Sequence, residues 1–173
     1  MRMMMAGLVL VIATPAAQTP GVAQAPMQAG AQTPATACTT TVIPPELTGW
    51  TKPTGAKSGD ALVVGRGALL ALLPSAGVRF AVAPAKPPVA GSFSATASFD
   101  VATAGTYRVA LSGPVWVDVV GGGKALASAT HSHGPACSPV KKMVDFVLVP
   151  GRYALELSSA KSSSLTVLIA RAS

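Results

Sequence analysis

Five stretches of this chain alternate apolar and polar side chains with a period of two, and that pattern constrains the fold more than any other feature. Phe93, Ala95, Ala97, Phe99 and Val101 share one parity, with Ser94, Thr96, Ser98 and Asp100 between them. Tyr107, Val109 and Leu111 alternate with Arg108 and Ala110, and Val144, Phe146 and Leu148 with Asp145 and Val147. Tyr153, Leu155 and Leu157, then Leu165, Val167 and Ile169, repeat the pattern. Successive side chains of a strand point to opposite faces, so each stretch reads as a strand with one face on a core. Shorter apolar runs at residues 61–64, 68–73, 78–83 and 115–120 add to the set, and Gly121, Gly122 and Gly123 supply a tight turn before residues 124–129. The sum is eight or nine strands and no helical period. This predicts an all-β chain: a single antiparallel β-sandwich, jelly-roll-like.

Composition agrees. Only 11% of the residues are charged, while Gly (17) and Pro (15) are abundant, which suits short strands and many turns and excludes a disordered chain. Lys and Arg (13) outnumber Asp and Glu (6). The cations are scattered, however, and only Lys141 and Lys142 are adjacent. A nucleic-acid partner would need a clustered basic stripe, so none is expected.

The start of the chain reads as an address. Arg2 precedes an apolar run at residues 3–14 that ends at Pro15, a length that suits a signal-peptide core and falls short of a bilayer. Cleavage is expected after Ala23. Residues 1–23 are then the signal peptide, residues 24–37 a flexible leader rich in Ala, Gln, Pro and Thr, and residues 38–173 the β-sandwich domain. No later apolar run is long enough to span a membrane, which predicts a periplasmic or secreted protein. In such a compartment the two cysteines, Cys38 and Cys137, are expected to form a disulfide.

One internal echo runs through the domain. Phe99 and Val101 lead through a turn to Gly105, Tyr107, Val109 and Leu111; Phe146 and Leu148 lead to Gly151, Tyr153, Leu155 and Leu157. This reads as one hairpin written twice, with each Tyr burying its ring while its hydroxyl reaches backbone at the sheet edge. On these residues the stretch 93–170 resembles the bacterial pre-peptidase C-terminal and carbohydrate-binding-module-like sandwiches, which implies a fold rather than an activity.

Chemistry-bearing residues are few. His131 and His133 lie two apart in an extended segment and so face the same way, able to grip one metal ion, with Asp118 or Asp145 as a third ligand. The run from Gly105 through Trp116, Asp118, His131, His133 and Cys137 to Asp145 also resembles short exported bacterial proteins labelled homogentisate dioxygenase. That resemblance implies a metal-dependent oxidoreductase, whose iron would need two His and one carboxylate. The alternative is a polar loop with solvated histidines. No nucleophile elbow, phosphate-binding loop or paired glycosidase acids occur. Trp50 and Trp116 are the aromatics left for a ligand platform once inward-facing rings are set aside.

The resulting expectation is an exported, non-catalytic envelope protein whose sandwich binds an envelope or extracellular ligand, with no cofactor. The alternatives are a protein carrying a single transition metal ion at His131 and His133, and a carbohydrate binder.

Overall fold

The computed structural model describes Cys38 and residues 40–172, and the signal peptide and leader expected over residues 1–37 lie outside the described residues. Among the described residues twelve strands run in chain order: β1 (Thr54–Lys57), β2 (Ala61–Leu62), β3 (Gly67–Ala71), β4 (Leu73–Pro74), β5 (Phe93–Val101), β6 (Gly105–Leu111), β7 (Trp116–Gly121), β8 (Lys124–Ala125), β9 (Thr130–Ser132), β10 (Lys142–Leu148), β11 (Gly151–Ala160) and β12 (Ser164–Arg171). Two short 3₁₀ segments, Pro45–Thr51 and Ser75–Gly77, complete the order. The chain is all-β, and every one of the five alternating stretches is a strand. Residues 78–83 are not: that run lies in the long connection between β4 and β5. The excess over eight or nine comes chiefly from β1, β4 and β9, where no alternation registers: β1 is largely exposed, and β4 and β9 pair over only two or three residues.

The strands form two sheets. One has the order β1-β3-β12-β6-β10-β9; the other has the order β2-β5-β11-β7-β8, with β4 also paired to β5. Both are mixed rather than antiparallel, because β1 runs parallel to β3 and β2 runs parallel to β5. The chain visits the second sheet at β2 between β1 and β3, and that excursion restores the strand direction.

The repeated Gly-x-Tyr unit is not a hairpin. β5 and β6 belong to different sheets, and so do β10 and β11. Each unit is a corner at which the chain leaves one sheet for the other, and the two units pair with each other. β5 lies antiparallel to β11, and β6 antiparallel to β10. The registers match: Tyr153 lies opposite Phe99, and Phe146 opposite Tyr107. Alternation followed by a Gly turn and more alternation describes a hairpin and such a corner equally, since both put the same parity on the core. Each Tyr hydroxyl donates to the carbonyl four residues upstream, Tyr107 to Thr103 (2.7 Å) and Tyr153 to Val149 (2.8 Å). Both rings are buried, and Tyr153 stacks on Phe99 with centroids 5.6 Å apart. Gly121 makes room for that ring, because a Cβ there would lie 2.6 Å from Tyr153 Cε1.

A single cluster of buried apolar side chains draws on both sheets, with Leu70, Val109, Phe146 and Ile169 from one and Phe99, Val119, Leu155 and Leu157 from the other. A second, smaller cluster covers the opposite face of the first sheet. There Leu47 and Trp50 of the 3₁₀ segment Pro45–Thr51 pack on Ala110, Met143 and Leu168. The disulfide joins Cys38 to Cys137 across 99 residues of sequence, and beside it Val42 N–H donates to the Cys137 carbonyl.

Arg108 pins the 3₁₀ segment to this face. Its Nε and Nη2 donate to the two oxygens of Asp145 at 2.9 Å each, and its Nη1 pairs with Glu46. The bidentate Arg108 bond is the main reason the Asp145 carboxyl titrates below its ordinary range. A depressed carboxylate pKa adds stability above the unfolded value, and that contribution is lost as pH falls through the folded value. Arg108→Met is therefore expected to cost about 2–3 kcal/mol at pH 7, by stranding a buried carboxylate. The deficit should shrink in acid as Asp145 takes up a proton. Urea titrations at pH 7 and pH 3 check this, and an equal deficit at both would contradict it.

Candidate cleft around Trp116

A cleft of about 700 Å³ is walled by Trp116 and its predecessors Pro114 and Val115, by His131 and His133 at β9, and by Lys142 of β10. The connection between β4 and β5 supplies Lys86, Pro87 and Val89, the end of β11 supplies Ser159, and Lys161 follows just after it. A smaller recess of about 160 Å³ shares Trp116, His131 and Lys142 with it. Volumes of this order are typical of small-ligand sites.

Residues 78–91 act as a strap over the face of the second sheet turned away from the large core cluster. That face is the parity opposite Val117, Val119, Leu155 and Leu157, and it carries Trp116, Asp118, Glu156 and Ser158. Glu156 is only 2% exposed, and its Oε1 accepts the backbone N–H groups of Ala81 (2.5 Å) and Val82 (3.4 Å). Ser159 Oγ accepts the Val89 N–H at 3.1 Å. Fixed in this way, the strap places Lys86 Nζ 4.8 Å from the centroid of the Trp116 ring. Lys142 Nζ lies 5.8 Å from the same centroid and donates to the Val115 carbonyl at 2.7 Å. Ammonium groups are attracted to an indole face, so Trp116 holds two cations at the cleft. The indole is itself oriented by Nε1 donating to Asp118 Oδ2 at 3.0 Å.

The backbone bends where the cleft needs it. The pairing of β11 with β5 slips between Leu157 and Ala160, and Ser159 inside the slip has φ of 64°. A bulge of this kind re-aims side chains, and a non-glycine residue in the left-handed region costs energy that the surroundings must offset. Here it turns Ser159 and Lys161 toward the cleft wall.

Burial shifts the charges of this face. It pushes Lys142 below its ordinary value, against the opposing pull of Asp118, and it pushes Asp118 above its own. Glu156 is likewise raised, by burial first, with the strap N–H groups opposing. Its Oε2 has no hydrogen-bond partner among the described residues. A carboxyl whose folded pKa is raised binds its proton more tightly when folded, so stability falls as pH climbs from the ordinary glutamate value of 4.5 through the folded value. Glu156→Gln keeps an acceptor for Ala81 and removes the charge. Its stability relative to wild type should rise between pH 4.5 and 7, measured by paired unfolding curves. A difference that is flat or falls with pH would contradict this.

The residues singled out from sequence meet different fates. His131 pairs with Val144, whose side chain belongs to the buried cluster that draws on both sheets, so His131 lies on that same face of its sheet and reaches the cleft. Asp145 is the next residue and lies on the opposite face, committed to Arg108 and to Thr130 Oγ1. Asp145 therefore cannot join the histidines. Asp118 is bonded to Trp116, and Cys137 is in the disulfide. Among the described residues no three of His, Cys, Asp and Glu gather closely enough to hold a metal ion, so the proposed ligand set of His131, His133, Asp118 and Asp145 does not converge. His133 Nδ1 instead lies 3.3 Å from the Lys141 carbonyl oxygen.

Trp50 is 6% exposed on the buried side of its own 3₁₀ segment and offers no platform, whereas Trp116 lines the cleft. Lys86, Lys142 and Lys161 escaped notice as site residues, since 75 positions of sequence separate the first from the last and each reads as a scattered surface charge. The usable signal was local: Trp116 and Asp118 stand two apart on a strand, which puts an indole N–H beside a carboxylate. No protein-family model matches the chain, and no curated protein matches it.

Proposed function

We propose that this is an exported, non-catalytic envelope protein whose two sheets form a jelly-roll-like sandwich, and that the Trp116 cleft is its ligand site. The observation that carries the reading is the convergence of five separate segments on one cleft, with Lys86 and Lys142 both held over its indole. Three of those segments need a special device to arrive: a strap tied down by Glu156, a bulge at Ser159, and the edge strand β9. Support for the sandwich comes from the core cluster shared by both sheets. Support for export comes from the disulfide and the apolar run at residues 3–14. No helix among the described residues is long and apolar enough to cross a membrane.

A thermal-shift panel of small metabolites and saccharides, run on wild type and on Trp116→Ala, tests the site. A ligand bound only by the folded state raises the melting temperature by mass action. At least one compound should raise it in wild type and fail to do so in the variant. Shifts that survive Trp116→Ala, or chemical conversion of a bound compound, would contradict the reading.

A further inference from the structure

We infer that the ligand of the Trp116 cleft carries a phosphate group; this rests on the reading of the cleft as a ligand site. The polar lining is lysine, histidine and serine, with no arginine, although the chain has arginines to spend elsewhere. A guanidinium fork matches carboxylate and phosphate alike, so the number of ammonium groups, not the lack of arginine, points to the anion. Ammonium groups are point charges with rotatable donors, suited to a tetrahedral anion that accepts from several directions. Lys86 and Lys142 are drawn to one ring, and Lys161 lines the same space. Asp118 is the carboxylate beside them, and it is occupied by the indole N–H. Among the described residues the ion pairs all belong to Arg108, so Lys86 and Lys161 carry no carboxylate partner.

A doubly charged oxyanion seated in the cleft is attracted by each of the three ammonium groups. Pro87, Pro114 and Val115 then give the ester's organic part an apolar wall. A soluble phosphate ester and a phospholipid headgroup present the same chemistry.

Calorimetric titration of the folded domain with phenyl phosphate, benzoate and phenol, and sedimentation with phosphatidylglycerol vesicles, decides among the sources. Phenyl phosphate should bind at least tenfold more tightly than benzoate, and phenol should not bind. The affinity should fall at least tenfold in the double variant Lys86→Ala, Lys161→Ala, whose sites are exposed and whose melting temperature should be unchanged. Vesicle binding that depends on the same lysines, without binding of phenyl phosphate, would assign the phosphate to a lipid headgroup. Benzoate binding as tightly as phenyl phosphate, or indifference to the lysine changes, would overturn the inference. So would a lack of binding by both phenyl phosphate and vesicles. None of these touches the ligand site itself, which stands or falls with the Trp116→Ala panel.

Discussion

Tyr107→Ala and Tyr153→Ala are each expected to cost about 3–5 kcal/mol, the usual penalty for deleting a buried aromatic side chain. Either loss would remove a large share of the roughly 5–15 kcal/mol that holds a domain folded. The expectation follows from the corners. Each ring lies opposite a Phe across the pairing of the two units, and each hydroxyl closes its turn on the carbonyl four residues back. Truncation therefore removes core volume and loosens a chain reversal between the sheets at once. Phe at either position keeps the ring and should cost only about 1 kcal/mol, the net worth of one hydrogen bond. The paired His131→Ala and His133→Ala change should barely move the melting temperature, because both side chains are exposed. Melts of these variants separate the cases. A flat response to both Tyr→Ala changes would contradict the corner assignment.

Loss of the disulfide is the second large effect. The Cys38 to Cys137 link closes a loop of 99 residues. Removing it frees the unfolded chain by an amount that the loop-entropy model puts at about 4–5 kcal/mol. The folded state loses an anchor as well, since the segment from Cys38 leads directly into the 3₁₀ turn carrying Glu46, Leu47 and Trp50. The double variant Cys38→Ser, Cys137→Ser should unfold at markedly lower urea and with a steeper slope, because the uncrosslinked denatured chain exposes more surface. Equal midpoints for variant and wild type would contradict this account of the link.

The sequence was most legible where side chains had only one way to be buried. The alternating parities of residues 93–101, 107–111, 144–148, 153–157 and 165–169 located five strands, because period two is a local property. Sheet membership is not local. Nothing between Val101 and Gly105 distinguishes a hairpin from a passage to the opposite sheet, and only the pairing of β5 with β11 decides it. Residues 78–83 are apolar for a different reason than a strand is. They form part of a strap whose N–H groups at positions 81 and 82 are satisfied by one buried Glu156 rather than by a ladder. The Pro-rich approach to Trp50 looks like an exposed loop, yet Leu47 and Trp50 stand three apart, the spacing that gives a 3₁₀ turn one buried side.

The candidate site followed the same division. The two histidines and Trp116 stood out as rare residues, but their grouping depends on register. A one-residue slip of β9 against β10 would have put His131 beside Asp145 on the far face and taken it from the cleft. The lysines became visible only through the strap and the bulge, which carry Lys86 and Lys161 to a strand edge that neither neighbours in sequence.

The chain has two tryptophans, and they report on different surfaces: Trp50 on the buried side of its 3₁₀ segment and Trp116 in the cleft. An amide and indole NMR spectrum of the ¹⁵N-labelled protein should therefore show two indole N–H signals, assignable with Trp116→Phe. Addition of phenyl phosphate should move the Trp116 signal saturably and leave that of Trp50 in place. Movement of Trp50 alone, or a Trp116 signal unmoved by phenyl phosphate and by the compounds that stabilise the wild-type protein, would contradict the assignment of the cleft as the binding site.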